Sequence, residues 1–134
     1  MSTRPLALII EDHEDQCLVF TAALERAGYR AEAIRDGLIA QKRLAEVSPE
    51  MIVLDLHIPG VDGGTLLGQI RSDRRLADVP VILATADAAF ASSLQSQADL
   101  VLLKPISFSQ LSELANRYIR RLEARNMPPD SLPG

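Results

Sequence analysis

The stretch Leu6–Asp12, LALIIED, places five apolar residues directly before two acids. A second stretch, Met51–Asp55 (MIVLD), repeats this arrangement with one acid. Runs that are apolar throughout are typical of strands that are covered on both faces, and such strands belong to parallel sheets with helices on each side. The two stretches therefore predict an α/β protein whose buried strands end in acidic residues.

Three more units of the same kind complete the pattern. The first strand is predicted over residues 5–10, and further strands over residues 29–34, 79–84 and 100–103. Apolar residues at helical spacing predict a helix after each strand, over residues 14–27, 36–48, around 66–70, about 88–98 and from 107 onward. Gly28 is expected to end the first helix, and Ser107, with Gln110 three residues later, to begin the last. Five β/α units in strict alternation predict a doubly wound parallel sheet with helices on both faces.

Length and composition limit the classes of protein. The chain has 134 residues, of which 47% are apolar, so residues 1–125 are expected to form one domain. Residues 126–134 contain three of the eight prolines and are predicted to be a disordered tail or linker stub. With 14 basic and 18 acidic residues, the chain is not expected to bind nucleic acid directly. A lone Cys17, with no targeting or membrane-spanning segment in the sequence, indicates a soluble cytoplasmic protein.

Polar side chains follow four of the five predicted strands. Glu11 and Asp12 follow the first, Asp55 the third, Thr85 the fourth and Lys104 the fifth. The carboxyl ends of parallel strands share one edge of a sheet, which is where such folds bind ligands. Three carboxylates placed together repel one another unless a cation lies among them, and oxygen ligands of this kind suit Mg²⁺. Lysine and threonine can hold phosphoryl oxygens, and an aspartate can be phosphorylated, so this edge predicts Mg²⁺-assisted phosphoryl transfer to Asp55.

A family resemblance rests on four stretches that occur in a fixed order. These are LALIIEDHEDQ, MIVLDLHIPGVDGG, VPVILATAD and LVLLKP. Over about residues 5–123 the sequence resembles the receiver domain of response regulators in two-component signalling, a group that includes chemotaxis regulators. The resemblance implies a five-stranded flavodoxin-like sheet of order 2-1-3-4-5.

The resemblance also implies a metal site. Asp12, Asp55 and the backbone carbonyl of His57 would bind Mg²⁺, and Glu11 would act on the ion directly or through water. His13 and His57 lack the spacing of a zinc site, and oxygen ligands predominate, so we expect no zinc.

Catalytic roles follow from the same resemblance. Asp55 would accept the phosphoryl group, Thr85 would turn its hydroxyl towards it, and Lys104 would pair with one of its oxygens, next to a cis Lys104–Pro105 peptide. The family usually has Tyr or Phe three residues before the lysine, whereas this chain has Val101. Valine has a stiff χ1 and no comparable lever, so we expect the switch to run through the fourth helix and the strand after it.

These observations predict a phosphorylatable signalling switch that catalyses only its own phosphorylation and dephosphorylation. Its partners would be a histidine kinase or phosphotransfer protein, and a downstream target or a fused output domain. The alternative is an interaction domain of the same fold that works without phosphorylation. An aspartate-nucleophile phosphatase is disfavoured, because His57 stands where the second aspartate is needed and no cap domain fits.

Cys17 and the arginines of the last helix are both expected to have structural roles rather than functional ones. Cys17 shares a predicted helix face with Phe20 and Leu24, so it is expected to pack in the core rather than serve redox chemistry. The last helix carries a basic stripe, which is expected to be a solvated face and could alternatively hold a partner or a second copy of the chain; it comprises Arg117, Arg121 and Arg125 with Arg120 beside it. The apolar face of that helix is predicted to contain Phe108, Leu111, Leu114 or Ala115, Tyr118 and Leu122.

Overall fold

A computed structural model describes residues 4–126, so the predicted tail at residues 126–134 lies outside them except for Asn126, which caps the last helix. Strands and helices alternate along the chain as the sequence pattern predicts. The strands are β1 (Leu6–Ile10), β2 (Arg30–Ile34), β3 (Met51–Leu54), β4 (Val81–Thr85) and β5 (Leu100–Leu103). The helices are α1 (Glu14–Ala27), α2 (Gly37–Glu46), α3 (Gly63–Ser72), α4 (Ala88–Ser93) and α5 (Phe108–Arg125).

The five strands form one parallel sheet. Their order is β2-β1-β3-β4-β5, which confirms the predicted flavodoxin-like arrangement. Ile10 of β1 lies beside Leu54 of β3, and Leu83 of β4 lies beside Val101 of β5. Because the strands run in the same direction, the residues that follow them meet at a single edge.

Each face of the sheet has its own core. Alternate residues of a strand point to opposite faces, so Leu8 packs with α2, α3 and α4, whereas Ile9 packs with α1 and α5. The core on the α1 and α5 side includes Phe20. Cys17, which lies in the same helix, is also buried, as its position in the sequence predicts. No helix within residues 4–126 combines the length and apolar character needed to span a membrane.

The helix ends follow from local chemistry. Gly28 ends α1 in the left-handed region, with φ at 113°, as its position in the sequence predicts. Ser107 begins α5, where its side chain accepts a hydrogen bond from the Gln110 N–H. Asp36 and Asp62 cap α2 and α3 in the same way.

The α4–β5 region differs most from expectation. Helix α4 ends at Ser93 rather than near Ala98, because Ala91 is its one buried residue and Phe90 and Leu94 pack only partly against the core. Strand β5 is an edge strand, and its last residue, Leu103, is 51% exposed although the apolar run predicts burial. The Arg71 guanidinium holds the loop between them by donating to the carbonyl of Gln97 and to Asp99 Oδ1.

Two smaller differences concern an apolar face and a strand start. In α5 the residues that become buried are Leu111, Ala115 and Ile119, whereas Phe108 is 40% exposed because it stands at the first position of the helix, outside the core. Strand β4 begins at Val81 and not at residue 79, because Pro80 lacks the N–H that a strand pairing requires.

Candidate functional site

Three carboxylates meet at the carboxyl edge of the sheet. Glu11 and Asp12 follow β1, Asp55 follows the neighbouring β3, and one carboxylate oxygen of each lies within 4.8 Å of the others. Glu11 is 1% and Asp55 6% exposed, whereas Asp12 is partly exposed. The register of two adjacent buried strands therefore produces the acid cluster that the sequence pattern predicts.

Lys104 reaches this cluster from β5. Its Nζ donates to Glu11 Oε1 at 2.8 Å and to Asp55 Oδ2 at 3.0 Å. The Lys104–Pro105 peptide that follows is cis, as the family resemblance implies. One ammonium group thus faces three carboxylates, which leaves excess negative charge for a cation to neutralise.

Burial and pairing shift the pKa values of the buried groups. Burial raises the pKa of Glu11, although its hydrogen bonds with Lys104 and with the His13 N–H act in the opposite direction. For Lys104, burial acts to lower the pKa, but the hydrogen bonds to Glu11 and Asp55 outweigh burial and raise it. Lys104 is therefore held as the charged ammonium that the carboxylates require.

A second set of contacts joins β3 to β4. The His57 N–H donates to Asp55 Oδ1 at 3.2 Å, and the Asp87 N–H donates to the fully buried Thr85 Oγ1 at 3.1 Å. The two segments meet where His57 Nε2 lies 2.7 Å from Asp87 Oδ2. Thr85 and His57, both predicted to belong to the site, therefore lie at the same edge as the acids.

Most of these residues border one cavity of about 520 Å³, although Glu11 and Asp87 do not line it. It is lined by Asp12, His13, Gln16, Asp55, His57, Thr85, Ala86, Lys104 and Pro105. Gln16 Oε1 is buried and finds no hydrogen-bond partner among residues 4–126. A buried acceptor of this kind costs free energy unless water or a ligand donates to it, so the cavity suits a hydrated polar ligand.

Sequence reasoning missed three contributors to the site. Asp87 and Gln16 have no motif of their own, although Asp87 stands where a helix N-cap is expected, two residues after Thr85. Asp12 precedes α1 but does not cap it, since the N-cap residue is His13. Instead, Arg35 donates from Nε and Nη2 to the Asp12 carbonyl, at 3.0 and 2.8 Å, which holds the loop after β1 in place.

A glycine sets how closely the next helix approaches Asp55. A Cβ atom at Gly63 would lie 2.4 Å from the Asp55 carbonyl oxygen, a distance that no side chain tolerates. Gly63 begins α3, so the helix starts in backbone contact with the end of β3. Gly63 is therefore needed for the close packing of α3 against the end of β3.

The donor set fits a hard divalent cation. Within the described chain, Glu11, Asp12 and Asp55 are the only three His, Cys, Asp or Glu side chains with ligand atoms close enough to share an ion. All three offer carboxylate oxygens, the ligands that Mg²⁺ prefers. Neither His13 nor His57 belongs to this group, although both line the cavity.

A sheet of order 2-1-3-4-5 with acids and a lysine at its carboxyl edge defines a flavodoxin-like protein with an ionic site at the switch point. Comparison with known families agrees. The family model of the response regulator receiver domain matches residues 7–116, and the chain belongs to that family. Domains of this family are phosphoacceptor signalling domains and not classical enzymes, so this chain is a signalling domain.

Two relatives illustrate the range of the family. The chain is 34% identical over 122 residues to the DNA-binding dual master transcriptional regulator RpaA of Synechocystis, and the match covers 89% of this chain and 51% of RpaA. It is 30% identical over 115 residues to the polar-differentiation response regulator DivK of Brucella ovis, with 84% and 94% covered. The chain thus spans about half the length of RpaA and nearly all of DivK.

Solved structures show the same fold. The receiver domain of the sensor histidine kinase PA1611 from Pseudomonas aeruginosa, which has a magnesium ion coordinated in its active-site cleft, matches with a TM-score of 0.78 at 27% identity, covering 88% of this chain and 99% of that one. The chemotaxis response regulator CheY4 of Vibrio cholerae also has a TM-score of 0.78, at 20% identity, with 87% and 99% covered.

Proposed function

We propose that this receiver domain is a switch in which Asp55 accepts a phosphoryl group from a histidine kinase or a phosphotransfer protein. The observation that carries the proposal is the position of the Asp55 carboxylate. It lines the 520 Å³ cavity, belongs to the acid cluster and contacts Lys104 Nζ at 3.0 Å. A donor entering the cavity therefore meets a nucleophile that is already oriented from both sides, since Asp55 Oδ1 also accepts from the His57 N–H.

Asp12 and Asp55, with the backbone carbonyl of His57, would hold Mg²⁺, and Glu11 would act on it directly or through water. The fit of three carboxylate oxygens within 4.8 Å supports this ligand set. When bound, Mg²⁺ supplies positive charge beside the phosphoryl oxygens. The magnesium in the PA1611 cleft supports the same choice of ion.

In the proposed transfer, an Asp55 carboxylate oxygen forms a bond to phosphorus. The P–N bond of the donor phosphohistidine breaks, and its electron pair stays on the imidazole, which takes up a proton. Lys104 would move from the Asp55 carboxylate to a phosphoryl oxygen. Thr85 would donate its hydroxyl proton to another, because its Oγ1 already accepts from the Asp87 N–H and keeps its own proton free. Hydrolysis of the acyl phosphate resets the switch, so the chain turns over no separate substrate.

The partners would be proteins. The output would be a downstream target, a fused domain or a second copy of the chain, since RpaA is a transcriptional regulator and DivK a regulator of polar differentiation. One observation favours the alternative of an interaction domain that works without phosphorylation. Val101 takes the usual aromatic position and packs against the core.

The deciding experiment is intact-mass measurement after incubation with Mg²⁺ and a small acyl-phosphate donor. We expect one added phosphoryl group in the wild type and none in Asp55→Asn or after chelation of Mg²⁺. The matched control is Asp62→Asn, which changes a nearby carboxylate that caps α3 and lies outside the acid cluster. An adduct in Asp55→Asn would contradict the proposal. Lack of any adduct, together with failure to bind the stable mimic beryllofluoride, would favour the alternative.

A further inference from the structure

One residue outside the proposed transfer machinery contacts three different parts of the site edge through its backbone N–H and its carboxylate. The Asp87 N–H donates to Thr85 Oγ1, Asp87 Oδ1 accepts from the Phe90 N–H at 3.0 Å, and Oδ2 lies 2.7 Å from His57 Nε2. The Phe90 N–H and then His57 lower the pKa of Asp87, so its carboxylate is ionised and the His57 ring nitrogen is the donor. Asp87 thus ties the end of β4 to the first turn of α4 and to the loop after β3.

The contact between His57 and Asp87 matters because of where these two residues lie in the chain. His57 follows Asp55 by two residues, and Asp87 follows Thr85 by two residues. Their side chains therefore join outside the sheet the ends of two neighbouring strands, one carrying the proposed acceptor and the other the hydroxyl expected to turn towards it.

Phe90 extends the connection to α3. Its ring lies 5.7 Å from the His57 ring, and a Cβ atom at Gly64 would lie 2.9 Å from Phe90 Cζ. The first turns of α4 and α3 therefore touch through this ring. Strand β5 carries Val101 where the family usually has an aromatic residue. In the described structure, the aromatic ring of Phe90 lies beside the Asp87 contacts instead.

We propose that Asp87 is a positioning residue that couples the Thr85 hydroxyl to α4 and to the loop after β3, in place of the aromatic residue that Val101 replaces. When Thr85 donates to a phosphoryl oxygen on Asp55, its Oγ1 shifts and the hydrogen-bonded Asp87 N–H follows. The carboxylate of the same residue then carries His57 and the start of α4 with it. This inference rests on the proposed function, because it requires a phosphoryl group on Asp55.

Two variants remove the contact between His57 and Asp87 without removing the N-cap of α4. His57→Ala removes an exposed ring and leaves the His57 backbone carbonyl in place. Asp87→Ser keeps a side-chain oxygen suited to an N-cap but is too short to reach His57. The matched control is Asp36→Ser, which alters an N-cap of the same kind on α2; because the Asp36 carboxylate faces Gly60, each variant is compared with its own exchange without the mimic.

The measurement is backbone hydrogen exchange with and without Mg²⁺ and beryllofluoride, with binding of the mimic followed separately by its fluorine NMR signal. In the wild type and in Asp36→Ser, we expect the mimic to change exchange by about threefold or more both in residues 57–64 and in residues 87–91. In His57→Ala and Asp87→Ser, compared at the concentration where the fluorine signal shows the mimic bound, the change at residues 87–91 no longer extends to residues 57–64.

Two outcomes overturn the inference alone: binding without any exchange change at residues 87–91 in the wild type, or full changes in both segments of both variants. Failure of the wild type to bind the mimic overturns the proposed function, and the inference with it.

Discussion

The centre of the sheet and its α4–β5 edge are built differently, although both contribute to the site. Every residue of β1 and β3 is buried, and these strands present the three carboxylates. Strand β5 is only partly buried, and the short α4 buries Ala91 alone, yet this edge contributes Lys104 and Asp87. The groups proposed to hold the ion thus come from a close-packed region, whereas those proposed to respond come from a region with less packing to resist movement.

Two leucines test this contrast most strongly. Leu54 precedes Asp55 and is fully buried, whereas Leu103 precedes Lys104 and is 51% exposed. Leu54→Ala should lower the free energy of unfolding by about 2–5 kcal/mol, because it leaves a cavity in the core. Leu103→Ala should cost about 0.5 kcal/mol or less, as surface changes usually do. Urea denaturation of both variants checks this, and equal losses would remove the contrast.

The second prediction concerns Lys104, which joins the two regions through its hydrogen bonds to Glu11 and Asp55. Lys104→Met removes the cation between Glu11 and Asp55 while keeping side-chain length. Without Mg²⁺ it should destabilise the fold by about 1–3 kcal/mol, because buried carboxylates lose their charged partner. Saturating Mg²⁺ should reduce that loss, since an ion that binds only the folded state stabilises it and offsets the missing charge.

The measurement is thermal unfolding of the wild type and of Lys104→Met over a Mg²⁺ titration, with Lys42→Met as the control because Lys42 lies on α2 outside the acid cluster. The Lys104 variant should also respond more weakly to beryllofluoride. A loss of stability that Mg²⁺ leaves unchanged would show that Lys104 does not share a site with the ion.

The third and smallest predicted change in stability concerns Tyr29, in the core on the α1 and α5 face of the sheet. The Tyr29 hydroxyl donates to the Ala115 carbonyl at 3.2 Å, and burial raises the pKa of Tyr29 above its usual range, with smaller contributions from Glu50 and Tyr118. A group whose pKa is raised by folding stabilises the fold below its unfolded pKa, and this stability is lost as the pH rises towards the folded pKa. At neutral pH, Tyr29→Phe should cost about 1 kcal/mol, the worth of one hydrogen bond.

Denaturation curves from pH 7 upward test this sign. Above about pH 10, the unfolded-state value for tyrosine, the wild type should lose stability faster than Tyr29→Phe. Tyr118→Phe is the matched control, because Tyr118 is only partly buried on the same side. Parallel curves for the wild type and Tyr29→Phe would contradict the buried, neutral state of Tyr29.

Prediction from sequence succeeds where one strong pattern decides the outcome. Apolar runs ending in acids are sufficient for β1, β3 and the α/β class, whereas the strand order comes from family resemblance, because periodicity does not specify which strands are neighbours. Strand direction places the acids at one edge of the sheet, and the pairing of β1 with β3 brings them together. Asp87 shows the limit of this reasoning: its N-cap bond to the Phe90 N–H is local, but its contact with His57 depends on how α4 and the loop after β3 face each other.

The sequence pattern predicts the α4–β5 edge less well than the rest of the fold, for a related reason. Nothing in an apolar run such as LVLL distinguishes a central strand from an edge strand, so the exposure of Leu103 depends on topology. Phe90, Leu94 and Ala98 have helical spacing but are only partly buried, so the sequence pattern alone does not show where α4 ends.

The Arg71 side chain gives the α4 segment an asymmetric attachment. Besides Gln97 and Asp99, the guanidinium donates to the carbonyls of Ala77 and Val79, and Asp99 in turn accepts from the Val81 N–H. The far end of the segment is thereby anchored at the opposite edge of the sheet from Asp87. A displacement of Asp87 would therefore rotate α4 about the Asp99 end as a hinge. The movement would be largest beside the 520 Å³ cavity and smallest at Asp99.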